Sequence, residues 1–278
     1  MKLALAQIEV VAADKAHTLG RMLELIGRAA DGGAELVIFP ELSNTEYFCV
    51  HWDYKYLDYA EPLTGPTITA IRAVARERQV HVIVPIYLEE GPGMKYNAAV
   101  VVEKTGDVQG VYRKVHPAAR QSLEKIYFKP GTRLPIFHLG EWRVGVLICY
   151  DTYFCEAARI LALKGAELLV LPFAAHHVPM WTSVLPTRAY ENGLYVAAIN
   201  RVGTEPGPDW NTFMGRSLIA DPFGKILVEG DRQAGLVWGD IERSLVHQRR
   251  AEMSEWEERR PDLYDVLTRY EEDVRRLR

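Results

Sequence analysis

Cysteine is scarce in this sequence, with only Cys49, Cys149 and Cys155 among 278 residues. An odd number of thiols cannot form a complete disulfide framework, and these three lack the close paired spacings of a zinc site. The adjacent histidines His176 and His177 also lack the helical spacing with which two imidazoles reach one metal. We therefore expect neither a metal nor a cofactor, and a functional cysteine should act through its thiol.

The sequence also lacks an excess of positive charge, a long apolar run and a phosphate-binding loop. The net charge is -4 and the pI is about 6.1, which leaves no basic field for a nucleic-acid backbone. No apolar run is long enough to cross a bilayer, and no GxxxxGK loop occurs. Gln7 and Glu9 interrupt the apolar start of the chain, which is more typical of a first strand than of a signal peptide. We expect a cytoplasmic protein that binds neither nucleic acid nor a membrane.

One nine-residue stretch is almost repeated, as GAELVIFPE at 33–41 and GAELLVLPF at 165–173. Each copy predicts a turn, a buried strand and a proline stop, and each follows a strand and a helical stretch. The apolar runs do not alternate with polar residues, which is typical of strands covered on both faces. Two related halves predict an α/β protein in which two sheets pack on each other and helices cover them. No linker separates the halves, so we predict a single domain over residues 1–278.

Other patterns predict the remaining elements. Apolar residues at helical spacing predict a helix over 67–79, and turn sequences at 104–107 and 221–224 predict two β-hairpins. From 243 to 278, charges of both signs are interleaved with apolar and aromatic residues. We interpret this segment as a C-terminal tail with an amphipathic helix that needs a surface to pack on, such as a second subunit.

Reactive side chains follow several predicted strands, where layered folds place functional groups. Cys149 ends the run VGVLIC before a polar turn, and the alternative to a nucleophile is an inert core cysteine. Glu41 closes ELVIF beside a proline; burying its carboxylate is costly unless it is paired, and the alternatives are a helix cap or a salt bridge. Lys114 follows VYR, where it could equally end a hairpin on the solvent side. Phe173 occupies in the second copy the position that Glu41 occupies in the first.

A nucleophilic cysteine needs help from its surroundings. A thiol with an ordinary pKa near 8.5 is mostly protonated at neutral pH, so it requires a neighbouring base or positive charge. No histidine is close to Cys149 in the sequence, although His116 and His176 occur elsewhere. Glu41 is therefore a candidate for the base.

Three motifs in this order, FPEL, YRKVH and LICYD, resemble those of the nitrilase superfamily of carbon-nitrogen hydrolases. The resemblance extends from ALAQ at 4–7, through GRSLIADPFGKIL at 215–227, to RRPDLY at 259–264, which is nearly the whole chain. It implies a four-layer αββα sandwich with two pseudo-equivalent halves.

The resemblance also implies roles for particular residues. Glu41, Lys114 and Cys149 would form a catalytic triad that needs no metal or organic cofactor. Glu124, in the segment LEKIYFKPG, would be a second, supporting glutamate. On the residues alone, LEK is typical of a solvated helix start, so this role depends on the resemblance.

The branch within the superfamily is indicated by the residues around the cysteine. Tyr150 and Asp151 are similar to amidase and carbamoylase branches, whereas true nitrilases have Trp-Glu at these positions. Three further runs, YFC, AEPLTGPT and FCEAAR, resemble N-carbamoylputrescine amidases and related N-carbamoyl-amine hydrolases. The segment between His116 and Glu124 is shorter than is usual, and Cys155 stands where proline is common.

The activity that the resemblance implies is hydrolysis of an amide or N-carbamoyl group in a small molecule, with release of ammonia through a thioester-type acyl-enzyme. One alternative is an ω-amidase or general aliphatic amidase, and an alternative of another class is a catalytically silent binding module. The family commonly forms dimers, so a homodimer or higher homo-oligomer is implied.

The candidates for substrate binding lie just beyond predicted strand ends. They are Glu46, Tyr47, Tyr150, Phe173, His176 and Trp181. Glu46 would suit a cationic amine, although a loop glutamate is more often only solvated. A carbamoyl amino acid would require an arginine instead.

Overall fold

The computed structural model describes residues 1–176 and 181–268, and these form a sequence of strands and helices whose order repeats. The strands are β1 (Lys2–Gln7), β2 (Leu36–Ile38), β3 (His81–Gly91), β4 (Met94–Val102), β5 (Val108–Arg113), β6 (Ile136–Leu139), β7 (Trp142–Val146), β8 (Leu168–Phe173), β9 (Tyr195–Asn200), β10 (Val202–Thr204), β11 (Thr212–Met214), β12 (Leu218–Ala220), β13 (Ile226–Glu229) and β14 (Gly235–Asp240). The α-helices are α1 (Lys15–Asp31), α2 (Pro66–Arg78), α3 (Glu124–Tyr127), α4 (Cys155–Leu163), α5 (Trp181–Asn192) and α6 (Arg243–Ala251).

Two six-stranded sheets have the same arrangement. The first has the order β14-β1-β2-β3-β4-β5, and the second, taken from the corresponding edge, has the order β6-β7-β8-β9-β12-β13. In each sheet, three parallel strands lie between one antiparallel edge strand and an antiparallel pair. The two pseudo-equivalent halves are therefore confirmed, and β2 of the first half corresponds to β8 of the second.

The side chains of the first sheet face two different cores. Leu5 and Ile38 point into the core between the sheets, where they join Val170 of the second sheet. Val37 points the other way and packs with Met22 and the rest of the apolar face of α1 and α2. Helices α4 and α5 cover the second sheet in the same manner. Helix, sheet, sheet and helix thus form the four layers of an αββα sandwich.

The repeated GAEL turn has the same backbone in both halves. Gly33 and Gly165 follow α1 and α4 with φ of 81° and 94°, a region open to glycine but costly for other residues. The glutamates two residues later, Glu35 and Glu167, donate their backbone N–H groups to strands β1 and β7 at 2.9 and 2.7 Å. The repeat in the sequence is therefore the repeat of one turn and one parallel strand.

Most other predicted elements are confirmed, with one correction near the cysteine. Helix α2 corresponds to the predicted helix, and the two predicted hairpins are the antiparallel pairs β4–β5 and β12–β13. The apolar run VGVLIC predicts a strand that continues to Cys149, but β7 ends at Val146. Leu147 and Ile148 are still fully buried, which explains why the apolar run continues after the strand has ended.

The C-terminal segment forms one α-helix followed by short turns. Helix α6 has buried Val246 on one face, and 3₁₀ turns follow at Ser254–Trp256, Pro261–Leu263 and Asp265–Thr268. The last ten residues, 269–278, lie outside the described part of the chain. No helix within residues 1–176 and 181–268 is both long and apolar enough to cross a membrane.

Candidate active site

Glu41 lies where the two halves of the protein meet. It follows β2 and Pro40, and its backbone N–H donates to the carbonyl of Phe173 at 3.3 Å, so the last residues of the two repeat copies contact each other. Its side chain is fully buried, and Oε1 accepts hydrogen bonds from Lys114 Nζ at 2.7 Å and Asn97 Nδ2 at 2.8 Å. The backbone N–H of Ala174 donates to Oε2 at 3.0 Å. Three donors, one of them a cation, satisfy a carboxylate that would otherwise be costly to bury.

Lys114 is the centre of an ionic cluster. It comes one residue after β5, its side chain is 1% exposed, and Nζ lies 2.8 and 2.9 Å from the two oxygens of Glu124. The alternative of a solvent-facing hairpin end is therefore wrong. Burial alone would disfavour the ammonium, but the carboxylates of Glu124 and Glu41 outweigh it and hold the pKa of Lys114 well above its ordinary value. The lysine is thus a permanent positive charge inside the protein.

Glu124 is fully buried, which corrects the sequence-based interpretation of LEK as a solvated helix start. Helix α3 is only four residues long, and it aims this first side chain inward while Lys125 is exposed. Oε1 accepts from Tyr47 Oη at 2.8 Å, and Oε2 accepts from the backbone N–H of Ala118 at 3.1 Å. Burial raises the pKa of Glu124, and Lys114 opposes that shift. A single turn has too few residues to show a buried face, so periodicity could not reveal it.

Cys149 begins a 3₁₀ turn, Cys149–Tyr153, with a φ of 47°. A non-glycine residue in this left-handed region costs about 1–2 kcal/mol, so the surrounding contacts must hold it there. Burial raises the pKa of the thiol well above its ordinary value and Glu41 raises it further, whereas Lys114 and the Ala174 N–H oppose the shift. The sulfur is therefore within electrostatic reach of both the carboxylate and the ammonium.

This cluster leads to a prediction about the resting thiol. Because burial and Glu41 raise the pKa of Cys149, we expect the group to be a neutral thiol at neutral pH. The difference in ultraviolet thiolate absorbance between the wild type and Cys149→Ala should be absent at neutral pH and should appear only above the ordinary thiol pKa of about 8.5. The other two cysteines are present in both proteins, so their absorbance cancels in the difference. A thiolate signal at neutral pH would contradict the prediction.

The predicted substrate-binding residues are only partly brought together. Tyr47 contacts Glu124 through its hydroxyl, and its ring centroid lies 6.3 Å from that of His176. Phe173 packs with its ring centroid 4.8 Å from that of Trp181. The neighbouring His177 falls in 177–180, outside the described residues.

Glu46 and Tyr150 differ in exposure. Glu46 is buried, and its two oxygens accept from Tyr59 Oη at 3.0 Å and the backbone N–H of Ala13 at 3.2 Å. These contacts describe a carboxylate that holds two loops together, and they correct the expectation of a solvated loop glutamate. Tyr150, next to the nucleophile candidate, is 37% exposed.

Arg201 is a buried residue that sequence reasoning missed. Its Nη2 donates to the backbone carbonyls of Glu41 at 3.0 Å, Leu42 at 2.6 Å and Thr45 at 2.9 Å, while Nη1 donates to Glu205 at 2.6 Å. The guanidinium thus holds the loop that carries Glu41. Arg201 directly follows the apolar strand β9, so the same strand-end rule that selected Glu41 could have found it.

No group of three or more His, Cys, Asp and Glu side chains that could hold a metal ion occurs within the part of the chain that the structure describes. The cluster of Glu41, Lys114 and Glu124 contains a built-in cation instead. A thiol beside a carboxylate and an ammonium has what acyl transfer requires: a proton acceptor and a stabiliser for negative charge on oxygen.

An αββα sandwich with a cysteine beside a buried glutamate–lysine pair is the architecture expected of the nitrilase superfamily. The family model for carbon-nitrogen hydrolases matches residues 2–251, so the chain belongs to the carbon-nitrogen hydrolase family. The sequence motifs indicated this class of enzyme. The prediction of a carbon-nitrogen hydrolase with an αββα sandwich is therefore confirmed at the level of family and fold.

Named relatives include hydrolases of several substrates. The chain is 33% identical to a citrullinase of Francisella tularensis over 269 residues, which covers 92% of this chain and 94% of the relative. It is also 33% identical to an N-carbamoylputrescine amidase of Arabidopsis thaliana over 262 residues, 87% of each chain.

Solved structures show the same architecture. A carbon-nitrogen hydrolase of Helicobacter pylori is similar with a TM-score of 0.89 and 28% identity, over 97% of each chain. An amidase of Nesterenkonia sp. AN1 is similar with a TM-score of 0.76 and 29% identity, over 92% of this chain and 98% of that one. In a glutamate-to-glutamine variant of that amidase, acrylamide is added to the active-site cysteine.

Proposed function

We propose that this protein hydrolyses the N-carbamoyl group of a small amine and releases ammonia, with Cys149 as nucleophile. The observation that supports this most strongly is the buried cluster of Glu41, Lys114 and Glu124 beside the thiol. The citrullinase and the N-carbamoylputrescine amidase among the relatives, whose names indicate ureido substrates, favour this substrate class.

In the first half of the proposed reaction, Glu41 accepts the thiol proton as the sulfur of Cys149 attacks the carbonyl carbon. The negative charge on the carbonyl oxygen is stabilised by the Lys114 ammonium and by the backbone N–H of Tyr150. The C–N bond then breaks, and Glu41 returns the proton to the leaving nitrogen, which departs as ammonia. An S-acyl or S-carbamoyl enzyme remains.

In the second half, water replaces ammonia. Glu41 accepts a proton from a water molecule as the water oxygen attacks the thioester carbonyl carbon. The carbonyl oxygen again becomes negative and makes the same contacts with Lys114 and the Tyr150 N–H. The C–S bond breaks, the thiolate recovers the proton, and the acid leaves; a carbamic acid would then lose carbon dioxide. Glu124 accepts hydrogen bonds from Lys114 and Tyr47, so its proposed role is to orient the ammonium.

An aliphatic amide is the second candidate substrate class. The Nesterenkonia amidase has been crystallised with butyramide in a cysteine-to-alanine variant. The carboxylate of Glu46 accepts hydrogen bonds from Tyr59 and Ala13 inside the protein, so it does not by itself favour a cationic amine over an amide.

Ammonia release from a matched panel tests the proposal. The panel contains carbamoylated amines, carbamoyl amino acids and short amides of equal chain length, and Cys149→Ala serves as the control. We expect the highest kcat/KM with a carbamoylated amine. Higher kcat/KM with the amides would favour the amidase alternative, and no ammonia from any compound, with no adduct on Cys149, would favour a silent binding module.

We further propose that the C-terminal tail packs against a second copy of the chain. Leu263, Val266 and Leu267 are 62%, 56% and 63% exposed, which is unusual for aliphatic side chains in one short segment. Between this tail and α4 lies a cleft of about 800 Å³ that Ile160 and Leu163 help to line. Both walls carry apolar side chains, Leu267 on the tail and Ile160 and Leu163 on α4, and these are suited to a homodimer contact.

Light scattering measures this association. The double variant Leu263→Glu and Leu267→Glu should shift the protein from dimer to monomer, because it would bury two carboxylates in an apolar contact. Met94→Glu changes another exposed apolar side chain, 42% exposed at the start of β4 and part of neither the tail nor α4, and should leave the mass unchanged. A monomeric wild type would contradict the proposal.

A further inference from the structure

Asp151 is a fully buried carboxylate that accepts four hydrogen bonds. Oδ2 accepts from Tyr112 Oη at 2.6 Å and from the backbone N–H of Ile148 at 2.9 Å. Oδ1 accepts from the backbone N–H of His116 at 2.9 Å, and it lies 2.8 Å from Nδ1 of the same histidine. All four contacts are short, and every one uses the carboxylate as an acceptor.

The donors come from the two segments that carry the reactive groups. Ile148 directly precedes Cys149, whereas Tyr112 and His116 lie two residues before and two residues after Lys114. One carboxylate therefore links the turn that carries Cys149 to the chain on both sides of Lys114. We call these four hydrogen bonds of Asp151 the joint.

The backbone at Cys149 makes this joint important. With a φ of 47°, the cysteine lies in a region that is unfavourable for a residue with a side chain. Asp151 reaches back to the N–H of Ile148 and closes the turn around the cysteine, as an acidic residue does at the third position of a capped helix. Loss of that bond would let the cysteine relax to an ordinary φ and move its sulfur.

His116 provides a second fastening between the same segments. Its ring stacks on Phe154, with centroids 3.7 Å apart and an interplanar angle of 10°, and Phe154 directly follows the cysteine turn. With Nδ1 directed to Asp151, the histidine is engaged in holding the turn.

We propose that Asp151 is a positioning residue that sets the distance and direction between the sulfur of Cys149 and the ammonium of Lys114. The inference rests on the proposed roles of these two residues and adds a third that touches neither the substrate nor the reacting atoms. A misplacement of about 1 Å at a reacting group costs on the order of a hundredfold in rate. Loss of these hydrogen bonds should therefore lower kcat far more than it changes KM.

Asp151→Asn is the sharpest variant. An amide presents one oxygen and one NH₂ group, so two of the four donors would face another donor while the volume stays the same. Tyr112→Phe removes one of the four donors to Asp151, together with the long 3.4 Å hydrogen bond that the Tyr112 hydroxyl accepts from the backbone N–H of Val115.

Glu167→Gln is the matched control. Glu167 is as fully buried as Asp151 and accepts from the backbone N–H of Arg143 at 3.1 Å and from Arg243 at 2.9 Å. It precedes β8, so the length of this six-residue strand, about 20 Å, separates it from the active-site end. It reports the cost of altering a buried carboxylate without touching the joint.

Four quantities are measured for each variant: kcat and KM for ammonia release, the rate at which iodoacetamide labels Cys149 as followed by peptide mass, and the Tm. We expect Asp151→Asn to lower kcat by about a hundredfold with KM little changed, and to slow the labelling. Tyr112→Phe should lower kcat by about threefold to tenfold, the value of one hydrogen bond. Glu167→Gln should lower the Tm comparably to Asp151→Asn and keep kcat.

Two results would overturn the inference: a folded Asp151→Asn with a kcat within twofold of the wild type, or an equal loss of kcat in Glu167→Gln. If Asp151→Asn does not fold, an unchanged kcat in Tyr112→Phe overturns it as well. The Cys149→Ala control separates failure of the proposed function from failure of the positioning role. Ammonia release that persists in that control rejects the proposed function itself, whereas its loss together with an unaffected Asp151→Asn rejects only the positioning role.

Discussion

Replacing Cys149 with alanine is expected to abolish covalent turnover and ammonia release. The sulfur is the proposed bond-forming atom, and a methyl group cannot form the acyl-enzyme that divides the hydrolysis into two easier steps. The fold should persist, because the change is small and the Asp151 bonds that hold the turn do not use the sulfur. In the related Nesterenkonia amidase, a cysteine-to-alanine variant was obtained in complex with butyramide, which is in line with this expectation.

The measurement is ammonia release together with the intact mass of the protein after incubation with substrate. The wild type should show a covalent adduct, and the variant should show none. Cys155→Ala is the control, because this thiol is exposed on α4. If Cys149→Ala kept near-normal activity while Cys155→Ala lost it, the assignment of the nucleophile would be wrong.

The second large effect is expected for Lys114→Ala. Removing one oxyanion donor typically lowers kcat by about a hundredfold to a thousandfold, and Lys114 is the charged donor of the proposed pair. The same change leaves Glu41 and Glu124 buried without their cation. Breaking a buried ion pair on one side costs about 3–5 kcal/mol, so a lower Tm should accompany the loss of rate.

A second variant separates the two effects. Lys114→Ala combined with Glu124→Gln removes one of the stranded carboxylates and should recover part of the Tm while kcat stays low. Lys95→Ala is the control, since this partly buried lysine lies on β4 and interacts with Glu89 rather than with the cluster. A folded Lys114→Ala with a kcat within tenfold of the wild type would show that the lysine does not stabilise the oxyanion.

Some residues of the candidate site could be predicted from the sequence patterns, and others could not. Glu41 and Cys149 could be selected because each ends an apolar run, whereas Lys114 follows the mixed run VYR and gained its role from the resemblance. Glu124 could not, because its buried side chain comes from a four-residue helix with an exposed neighbour. It was found only through the resemblance of its segment to a family.

The network around the site was even less predictable. Arg201 reaches the carbonyl of Glu41 across 160 positions of chain, and Asp151 reaches Tyr112 across 39. Most of their partners are backbone carbonyl and N–H groups, which occur throughout any sequence. Only the folded structure reveals which of these groups form hydrogen bonds with the buried charges of Arg201 and Asp151.

By itself, the sequence determined the layers, the two halves and the reactive residue types, because these depend on local patterns: apolar runs, turn glycines and the repeat that ends once in Glu41 and once in Phe173. The tertiary structure alone decided that these two residues meet. Glu41 donates its N–H to Phe173, and Lys114 reaches Glu41 at 2.7 Å from 73 residues away. The reason is physical: a repeat specifies how each sheet is built, whereas the packing of one sheet on the other decides which strand ends share a site.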